Sequence, residues 1–382
     1  MILKIVIVAV ITFVFISAAI FLALRLPQLA IPSNVSENIK LIMLDKWLEQ
    51  IHKKDKFNGV ILLSKKGKVI FSKAYGYDNA TKINTLSEHS SFNLASVSKQ
   101  FTAMGIVLLK EQAKLQYSDN VSDYIHELSY YKDITIQHLL HHISGLPDYM
   151  SLAGKYYNNS EIFNTSDMIS LYQIHQPNLR FRSGTKFEYS NAGYVLLAEI
   201  IERISGNSFQ EFMASHIFEP LNMKDTQVFN LLSNKEPSKR VYGFKRRLWL
   251  FGGKYEPQDL NFFDGVAGDG GIYSSTHDLN IWHKALRDGD LVSNETYKEA
   301  YSPAQLGDGS KTKYGFGWFI NADNSVDHAG GWQGFTSYIY RNMENDELIV
   351  ILDNSSNALR VNSIGFRFNS IGLNLKYFLR TL

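Results

Sequence analysis

The stretch that decides the fold is Ala95-Ser96-Val97-Ser98-Lys99, which joins a Ser-x-x-Lys motif to the start of an apolar helix. The apolar residues that follow are spaced at helical intervals: Phe101, Met104, Val107, Leu108 and Leu109. The same motif also begins at Ser129, Ser183 and Ser310, so the motif alone is a weak signal. The helical context is what distinguishes Ser96 from the other three.

Ser96 and Lys99 suit nucleophilic chemistry, because residues three apart lie on one face of a helix. The partial positive charge at a helix N-terminus favours a developing oxyanion. A serine hydroxyl needs an adjacent base, and a lysine can be that base when burial or nearby positive charge keeps its amine neutral. The alternative for an isolated match is that Ser96 only caps the helix and Lys99 is a solvated side chain.

Two further motifs favour the catalytic interpretation. Tyr189-Ser190-Asn191 is one of five Tyr-x-Asn matches, whereas His328-Ala329-Gly330 is the only His-x-Gly in the sequence. The second motif lies between apolar runs at 318–320 and 335–338. A strand edge there would present the N–H of Gly331 to a substrate carbonyl, and glycine at both positions would leave room for that approach.

The two ends of the chain carry strand and helix patterns that enclose a more helical middle. Apolar runs at 60–63 and 69–71 flank a polar turn, as do runs at 337–340 and 348–352. These patterns predict two β-hairpins, and helical spacing predicts helices at 39–51 and 358–379. We therefore expect an α/β domain built from both ends, about 38–95 and 305–382, with an α-rich insertion at about 96–304.

The N-terminal segment differs from the rest of the chain. The run Ile5–Leu24 is 20 residues long and uncharged, which is the length of a membrane-spanning helix. Ser17 and Ala19 are spaced like a signal-peptidase site, so a cleaved signal peptide remains the alternative. We expect residues 1–33 to be a signal anchor and linker before a domain at 34–382. That domain would be periplasmic or extracellular if anchored, and secreted if the segment is cleaved.

Composition and missing motifs exclude several classes of function. The net charge of +2 is too balanced for binding a polyanion, so nucleic acid is not an expected partner. With no cysteine, covalent catalysis must use a hydroxyl, an amine or a carboxylate. Phosphate-loop, zinc-helix and nucleophile-elbow motifs are absent. His138, His141 and His142 cluster without an acidic partner, which favours a polar helix end over a metal site.

In their order and separation, the three motifs resemble the serine β-lactamase and penicillin-binding protein superfamily. The most similar branch is the class C β-lactamase-like and D-alanyl-D-alanine carboxypeptidase-like group. Supporting stretches at 134–140, 144–148 and 267–274 are similar too, and the resemblance covers roughly 58–353. It implies a β-lactamase-like α/β (α+β) fold, with an antiparallel sheet flanked by N- and C-terminal helices and an α-rich domain.

The resemblance also implies roles for individual residues. Ser96 would be the acylated nucleophile, Lys99 would help to remove its proton, and Tyr189 would act as a phenolate or in a proton relay. The substrate-binding residues would be Asn191 for an amide, His328 for a carboxylate or the Tyr189 proton, and Gly330 with Gly331 at the strand edge. The oxyanion hole would consist of the N–H groups of Ser96 and Gly331. Three aromatic residues either line the acyl pocket or belong to the core: Tyr149, Trp332 and Phe335.

His328 is a departure from the family pattern, because many relatives carry lysine at this position. Histidine is mainly charged below about pH 6.5, so the case for efficient β-lactam hydrolysis is weaker. We expect a serine hydrolase acting on D-amino-acid peptides, β-lactams or small esters, without metal or cofactor. The alternative is a non-catalytic penicillin-binding or ligand-sensing domain anchored in the envelope. The sequence leaves the oligomeric state open.

Overall fold

The computed structural model describes Thr12 and residues 26–157, 161–246, 254–356 and 370–382. These residues divide into two compact units. The larger unit is Asn58–Ser356, and the smaller combines the described parts of Met1–Phe57 and Asn357–Leu382. The predicted division at about 38–95, 96–304 and 305–382 stays a prediction.

A six-stranded sheet of the larger unit is antiparallel throughout and draws its strands from both ends of that unit, as the two hairpins predicted. The strand order is β2-β1-β11-β10-β9-β8. The bounds are β1 Gly59–Lys65, β2 Lys68–Tyr75, β8 Phe319–Ile320, β9 Val326–Trp332, β10 Phe335–Asn342 and β11 Glu347–Asp353.

Both predicted hairpins form for identifiable reasons. Between β1 and β2, the turn residues Lys66 and Gly67 both have positive φ, which suits the twist of a two-residue hairpin. The central residues of β1 and all of β10 and β11 are buried, so these apolar strands form the middle of the sheet. Among its described residues, the larger unit also has two small sheets, of order β3-β7-β4 and β5-β6. Their strands are β3 Phe92–Asn93, β4 Gln227–Val228, β5 Phe244–Arg246, β6 Tyr255–Pro257 and β7 Ile272–Ser274.

The chain between β2 and β8 carries most of the helices of the larger unit. The α-helices are α2 Lys99–Glu111, α3 Val121–Tyr124, α4 Ile136–Leu140, α5 Tyr149–Tyr156, α6 Thr165–His175, α7 Asn191–Ser205, α8 Phe209–Met213, α9 Thr276–Asp288 and α10 Asn294–Lys298. Short 3-10 turns lie at Ala95–Ser98, His126–Leu128 and Glu299–Tyr301, and a π-helical turn lies at Ala214–Phe218. The apolar faces of α2 and α7 pack together in the core and place the start of each helix near the same site.

The described part of the smaller unit includes the helices α1 Glu37–Lys53 and α11 Ile371–Leu379. The side chain of Lys40 in α1 donates a hydrogen bond to the carbonyl of Thr381, and the indole of Trp47 donates one to Pro27. These helices overlap the predicted terminal helices at 39–51 and 358–379, and residues 358–369 of the second prediction lie outside the described residues.

The predicted membrane segment Ile5–Leu24 lies outside the described residues, apart from Thr12. Within the part of the chain that is described, no helix combines the length and the apolar character needed to cross a membrane.

Candidate active site

Ser96 lies in the 3-10 turn between β3 and α2, not in the first turn of the α-helix itself. The preceding residue, Ala95, has a φ of 47°, a left-handed conformation that a residue with a Cβ adopts at a cost. Asn93 supports this backbone, because its Oδ1 accepts a hydrogen bond of 2.8 Å from the N–H of Ala95. Ser96 is thereby left partly exposed, whereas its neighbours Ala95 and Val97 are buried.

Lys99 is fully buried and directly contacts the proposed nucleophile. Its Nζ donates to Ser96 Oγ at 3.1 Å, to Asn191 Oδ1 at 2.8 Å and to the carbonyl of Asp269 at 2.7 Å. Burial lowers the pKa of the Lys99 amine to about 8, against an opposing effect from the Asp269 carboxylate. A lysine with this pKa has a substantial neutral fraction near neutral pH, as a general base requires.

Tyr189 and Asn191 meet Ser96 and Lys99 at the start of α7. Lys99 Nζ lies 5.1 Å from the centre of the Tyr189 ring, and the same atom donates the hydrogen bond to Asn191. The Tyr189 hydroxyl is buried and makes no hydrogen bond of standard geometry within the described part of the chain. Burial raises its pKa, with a smaller opposing effect from the Ser96 hydroxyl, so Tyr189 is a phenol at neutral pH.

His142 is a neighbour of Tyr189 that the sequence did not assign to the site. Its ring centre lies 4.2 Å from that of Tyr189, and its Nδ1 accepts a 3.2 Å hydrogen bond from the N–H of Ser190. Burial, together with the charge of Lys99, lowers the pKa of His142 well below its ordinary value. A neutral His142 therefore packs against Tyr189 and fixes the backbone that carries it.

His328 is buried in β9 and uses both ring nitrogens in hydrogen bonds. Its Nδ1 lies 2.8 Å from the carbonyl of Ala329, and its Nε2 lies 2.9 Å from the hydroxyl of Tyr314. The carbonyl can only accept, so Nδ1 carries the proton and Nε2 accepts from Tyr314. Burial, followed by the charge of Lys99, lowers the pKa of His328 to about 3. The predicted role of His328 in binding a substrate carboxylate stays a prediction, and this neutral ring supplies no charge for it.

Gly330 and Gly331 lie where β9 passes the turn that carries Ser96. A Cβ added at Gly330 would lie 2.3 Å from the carbonyl oxygen of Leu94 and 3.0 Å from the nitrogen of Ser96, so only glycine fits. The hydroxyl of Ser337 in β10 also donates to Leu94, across 243 positions of sequence. Gly331 is exposed and has open space around its Cβ position.

The neighbouring strand β8 leaves this part of β9 uncovered, because it pairs only with Val326 and Asp327. The free edge of β9 beyond Asp327 faces the Ser96 turn, as the close approach of Gly330 to Ser96 shows. This arrangement agrees with the strand edge expected from the sequence, and Gly331 lines the cavity in front of Ser96.

A cavity of about 210 Å³ opens in front of Ser96. Its walls combine aromatic, aliphatic, amide, hydroxyl, carboxylate and glycine residues. They are Asn93, Ala95, Ser96, Tyr149, Met150, Asn191, Phe229, Asn230, Phe263, Asp264, Val266, Asp269, Gly270, Gly271, Gly331 and Trp332. Of the three aromatic residues singled out in the sequence, Tyr149 and Trp332 line this cavity. Phe335 is a buried core residue that does not.

Two acidic residues of the cavity wall, Asp264 and Asp269, were not assigned from the sequence. Asp269 is buried, and its Oδ2 accepts a 3.2 Å hydrogen bond from the hydroxyl of Tyr149. Asp264 Oδ1 accepts a 2.7 Å hydrogen bond from the indole of Trp332. Burial raises the pKa of Asp264 to about 6 and also raises that of Asp269. Asp269 falls in the quoted stretch at 267–274, but nothing in the pattern predicted its contact with Lys99.

The histidine cluster of the sequence divides among different partners. His138 Nδ1 accepts from the N–H of Thr135, His141 Nδ1 bonds to the carbonyl of Tyr314, and His142 supports Tyr189. Among the described residues, the side chains that could together hold a metal ion are Glu88, His89 and His277, whose ligand atoms lie within 4.8 Å of one another. They do not line the cavity.

This chain is similar to known proteins along most of its length. A family model described as Beta-lactamase matches residues 44–366. Penicillin-binding protein 4* of Bacillus subtilis (strain 168) is 34% identical over 321 residues, covering 81% of this chain and 71% of that protein.

Two solved structures share the fold. The octameric penicillin-binding protein homologue from Pyrococcus abyssi has a TM-score of 0.71 and 27% identity, over 82% of this chain and 73% of that chain. The D-amino acid amidase from Ochrobactrum anthropi SV3, complexed with L-phenylalanine amide, has a TM-score of 0.70 and 22% identity, over 90% of this chain and 97% of that chain. The family match across most of the sequence and the Bacillus subtilis relative together show that this chain belongs to the beta-lactamase family, which includes the serine β-lactamases and the penicillin-binding proteins.

Proposed function

We propose that the protein is a serine hydrolase that forms an acyl-enzyme at Ser96. The observation that carries this proposal is the 3.1 Å contact between Lys99 Nζ and Ser96 Oγ, made by a lysine whose burial lowers its pKa to about 8. A solvated lysine next to an N-capping serine, the alternative considered for the sequence, would have neither property. Ser96 is also partly exposed to the cavity, where a substrate can reach it.

The geometry supports an acylation step in which a proton moves from Ser96 to Lys99. The neutral amine of Lys99 takes the proton of Ser96, and Oγ forms a bond to the substrate carbonyl carbon. The resulting oxyanion is stabilised by the N–H groups of Ser96 and Gly331, on the two backbones that the close approach at Gly330 holds together.

Proton transfer to the leaving group completes acylation. Tyr189 is a phenol, so its hydroxyl can donate its proton to the leaving group while the Lys99 ammonium replaces that proton. The bond between the carbonyl carbon and the leaving group then breaks. In deacylation, water gives a proton to the neutral Lys99 amine and forms a bond to the acyl carbon, and the bond to Ser96 Oγ breaks as Oγ takes that proton back. Asn191 holds the Lys99 amine through its Oδ1 and lines the cavity where the substrate amide would bind.

The substrates that we propose are D-amino-acid peptides, β-lactams or small esters. The name of the Bacillus subtilis relative, a penicillin-binding protein at 34% identity, supports a β-lactam as a covalent probe of this site. Such labelling does not require that β-lactams are turned over. An acyl-enzyme that forms with penicillin and is hydrolysed slowly also carries the label.

Covalent labelling tests the assignment of Ser96. We expect a fluorescent penicillin or an alkyl fluorophosphonate to label the wild type and not Ser96→Ala. Ser129→Ala is the matched control, because Ser129 begins another Ser-x-x-Lys motif and is exposed on the surface. Equal labelling of wild type and Ser96→Ala would refute the assignment. The absence of both labelling and turnover across amide, β-lactam and ester panels, combined with reversible ligand binding, would favour the non-catalytic ligand-sensing alternative.

A further inference from the structure

We propose that Glu88, His89 and His277 form a binding site for a divalent transition metal, with Zn²⁺ as the ion that suits the donor set best. The ligand atoms of these three side chains lie within 4.8 Å of one another. None of the three lines the cavity in front of Ser96. The site is therefore separate from the proposed serine chemistry, and the proposal does not depend on the identity of the substrate.

A short turn before β3 presents two of the ligands. The turn is closed by a 3.0 Å hydrogen bond from the N–H of Ser90 to the carbonyl of Ser87. Its central residues are Glu88 and His89. The hydroxyl of Ser72 in β2 donates a 3.0 Å hydrogen bond to Glu88 Oε2 and orients the carboxylate. The other oxygen, Glu88 Oε1, lies 3.9 Å from His89 Nε2, so two donor atoms already adjoin.

The carboxylate of Asp225 selects the tautomer of His89 that a metal requires. Asp225 is buried, and its Oδ2 lies 2.7 Å from His89 Nδ1. A carboxylate accepts the Nδ1 proton, so a neutral His89 ring has its lone pair on Nε2, the nitrogen that adjoins Glu88. Lys239 Nζ lies 3.0 Å from the other oxygen of Asp225 and holds this carboxylate in place. A carboxylate behind the ring is the usual support of a metal-binding histidine.

His277 supplies the third ligand from the start of α9. The carbonyl of Glu88 accepts a 3.2 Å hydrogen bond from the N–H of His277 and another of 3.2 Å from the hydroxyl of Thr276. These bonds hold the turn against the helix without help from a metal. The ring centres of His89 and His277 are 4.5 Å apart. Within the part of the chain that is described, the ring nitrogens of His277 make no hydrogen bond, so they are available as ligands.

The donor set favours Zn²⁺ over Mg²⁺ and Ca²⁺. Imidazole nitrogen suits Zn²⁺, whereas Mg²⁺ and Ca²⁺ prefer oxygen ligands. Ligand atoms bound at about 2.0–2.1 Å in a tetrahedral zinc site lie roughly 3.4 Å apart. Rotation of side chains brings the donor atoms to that separation, because Glu88 and His277 are both exposed. With three protein ligands, the fourth position is left to water.

A metal at this cluster would fasten the pair of strands that leads to the active-site turn. The turn with His89 precedes β3, and His277 follows β7, the antiparallel partner of β3. The end of the pair nearest the cluster is formed by Phe92 and Ser274, and at the other end Asn93 supports the backbone before Ser96. Because the unfolded chain does not hold the three ligands together, metal binding should stabilise the folded state.

Zinc binding by the full chain, purified without a histidine tag, tests the proposal. After a chelator has been applied and removed, we expect isothermal titration calorimetry to give a single Zn²⁺ per chain. At about 100 times the Kd, Zn²⁺ should raise the melting temperature by about 2–6 °C. Mg²⁺ at the same concentration should leave the melting temperature unchanged.

Two variants assign the ion to this cluster. His277→Ala and Glu88→Gln should each weaken Zn²⁺ binding by at least about tenfold, which is the smallest usual effect of losing a residue that only supports a ligand. Glu88→Gln keeps the size of the side chain, so this variant tests the site even if the loss of the His277 ring disturbs folding. His175→Ala is the matched control, because His175 is an exposed histidine outside the cluster, and it should keep the wild-type Kd.

The outcomes decide between a metal site and an ordinary ion-paired histidine. Failure of the wild type to bind Zn²⁺, or equal Kd values for the wild type and both variants, would overturn the proposal. An equal rise in melting temperature with Mg²⁺ would overturn the choice of metal. Fluorescent-penicillin labelling should persist in the presence of a chelator, and labelling that required the metal would contradict a site separate from Ser96. Labelling that persists in Ser96→Ala refutes only the proposed function.

Discussion

Lys99 is the residue whose surroundings most affect the proposed chemistry. It is held among Ser96, Asn191 and the Asp269 carbonyl, and its burial lowers the pKa of the amine to about 8. The protonated amine donates to all three acceptors, and the neutral amine can accept the proton of Ser96. In the proposed reaction, protonation of this single group therefore determines whether Ser96 is activated.

The pH dependence of acylation follows from the lowered pKa of Lys99. Below about pH 8 the neutral fraction falls, so we expect the acylation rate to rise by about tenfold per pH unit in that range and to level off above it. Stopped-flow labelling between pH 6 and 10 measures this profile. If the Tyr189 phenolate were the base, the rate would keep rising beyond pH 10, because burial raises that pKa. A rate that falls with pH would contradict both assignments.

Local spacing predicted some of the site residues and missed others. Ser96 and Lys99 are three positions apart, so their contact follows from the geometry of a single turn. The hydrogen bond between Asp264 and Trp332, and that between Tyr314 and His328, join separate segments through tertiary packing. No periodicity encodes such pairs, which is why the neutral state of His328 and the acidic wall emerged only from the fold.

The strand that borders the active-site turn, β9, has a strict steric requirement. It passes close enough to the turn that an added Cβ at Gly330 would come within 2.3 Å of Leu94 and 2.4 Å of Ser337. At the next residue, Gly331, no atom lies within 4 Å of an added Cβ. Neighbouring glycines of the same strand thus differ sharply in the space around them.

Alanine substitutions at the two glycines should separate these environments. Gly330→Ala forces β9 away from Ser96, so we expect a loss of about 1–3 kcal/mol in the free energy of unfolding, together with a large loss of labelling. Gly331→Ala should change the free energy of unfolding by less than about 0.5 kcal/mol. Denaturant unfolding and penicillin labelling measure the two effects. Equal stability of both variants would show that β9 adjusts to the side chain.

Elements with a strong pattern were predictable, whereas those defined only by pairing were not. The hairpin of β1 and β2 has an apolar run and a turn with glycine at a positive φ. By contrast, β3, β4 and β8 have two residues each. A two-residue strand has no alternation to detect, so its existence depends on the neighbour it pairs with. The sequence likewise predicted Ser96 within the helix, whereas it lies in a 3-10 turn before the helix. The start of that turn is supported by the hydrogen bond between Ala95 and Asn93, which the local pattern does not predict.

At the scale of the whole molecule, the uncharged run Ile5–Leu24 contrasts with the balanced charge of the remaining chain. We propose that this run delivers the domain across a membrane, as an anchor or as a cleaved signal. In cells expressing the full chain with a C-terminal tag, we expect the protein in the membrane fraction and a chain lacking residues 1–25 in the supernatant. An impermeant fluorescent penicillin should label the full chain in intact cells.

The mass of the tagged protein distinguishes the two forms of this proposal. Unchanged mass in the membrane fraction identifies an anchor, and a shorter chain outside the cell identifies a cleaved signal. A full-length chain in the cytosolic supernatant would contradict both.

The contact between Ser337 and Leu94, which spans 243 positions, has a consequence for biosynthesis. The segment with Ser96 and Lys99 leaves the ribosome roughly 10–50 seconds before β9 and β10, at synthesis rates of about 5–20 residues per second. Until those strands pair, the nascent polypeptide has the proposed nucleophile and base but no second wall to hold an acyl group. For the proposed mechanism, catalytic competence is therefore acquired only after β9 and β10 have been synthesised, and a polypeptide exported before it folds would remain inactive during translocation.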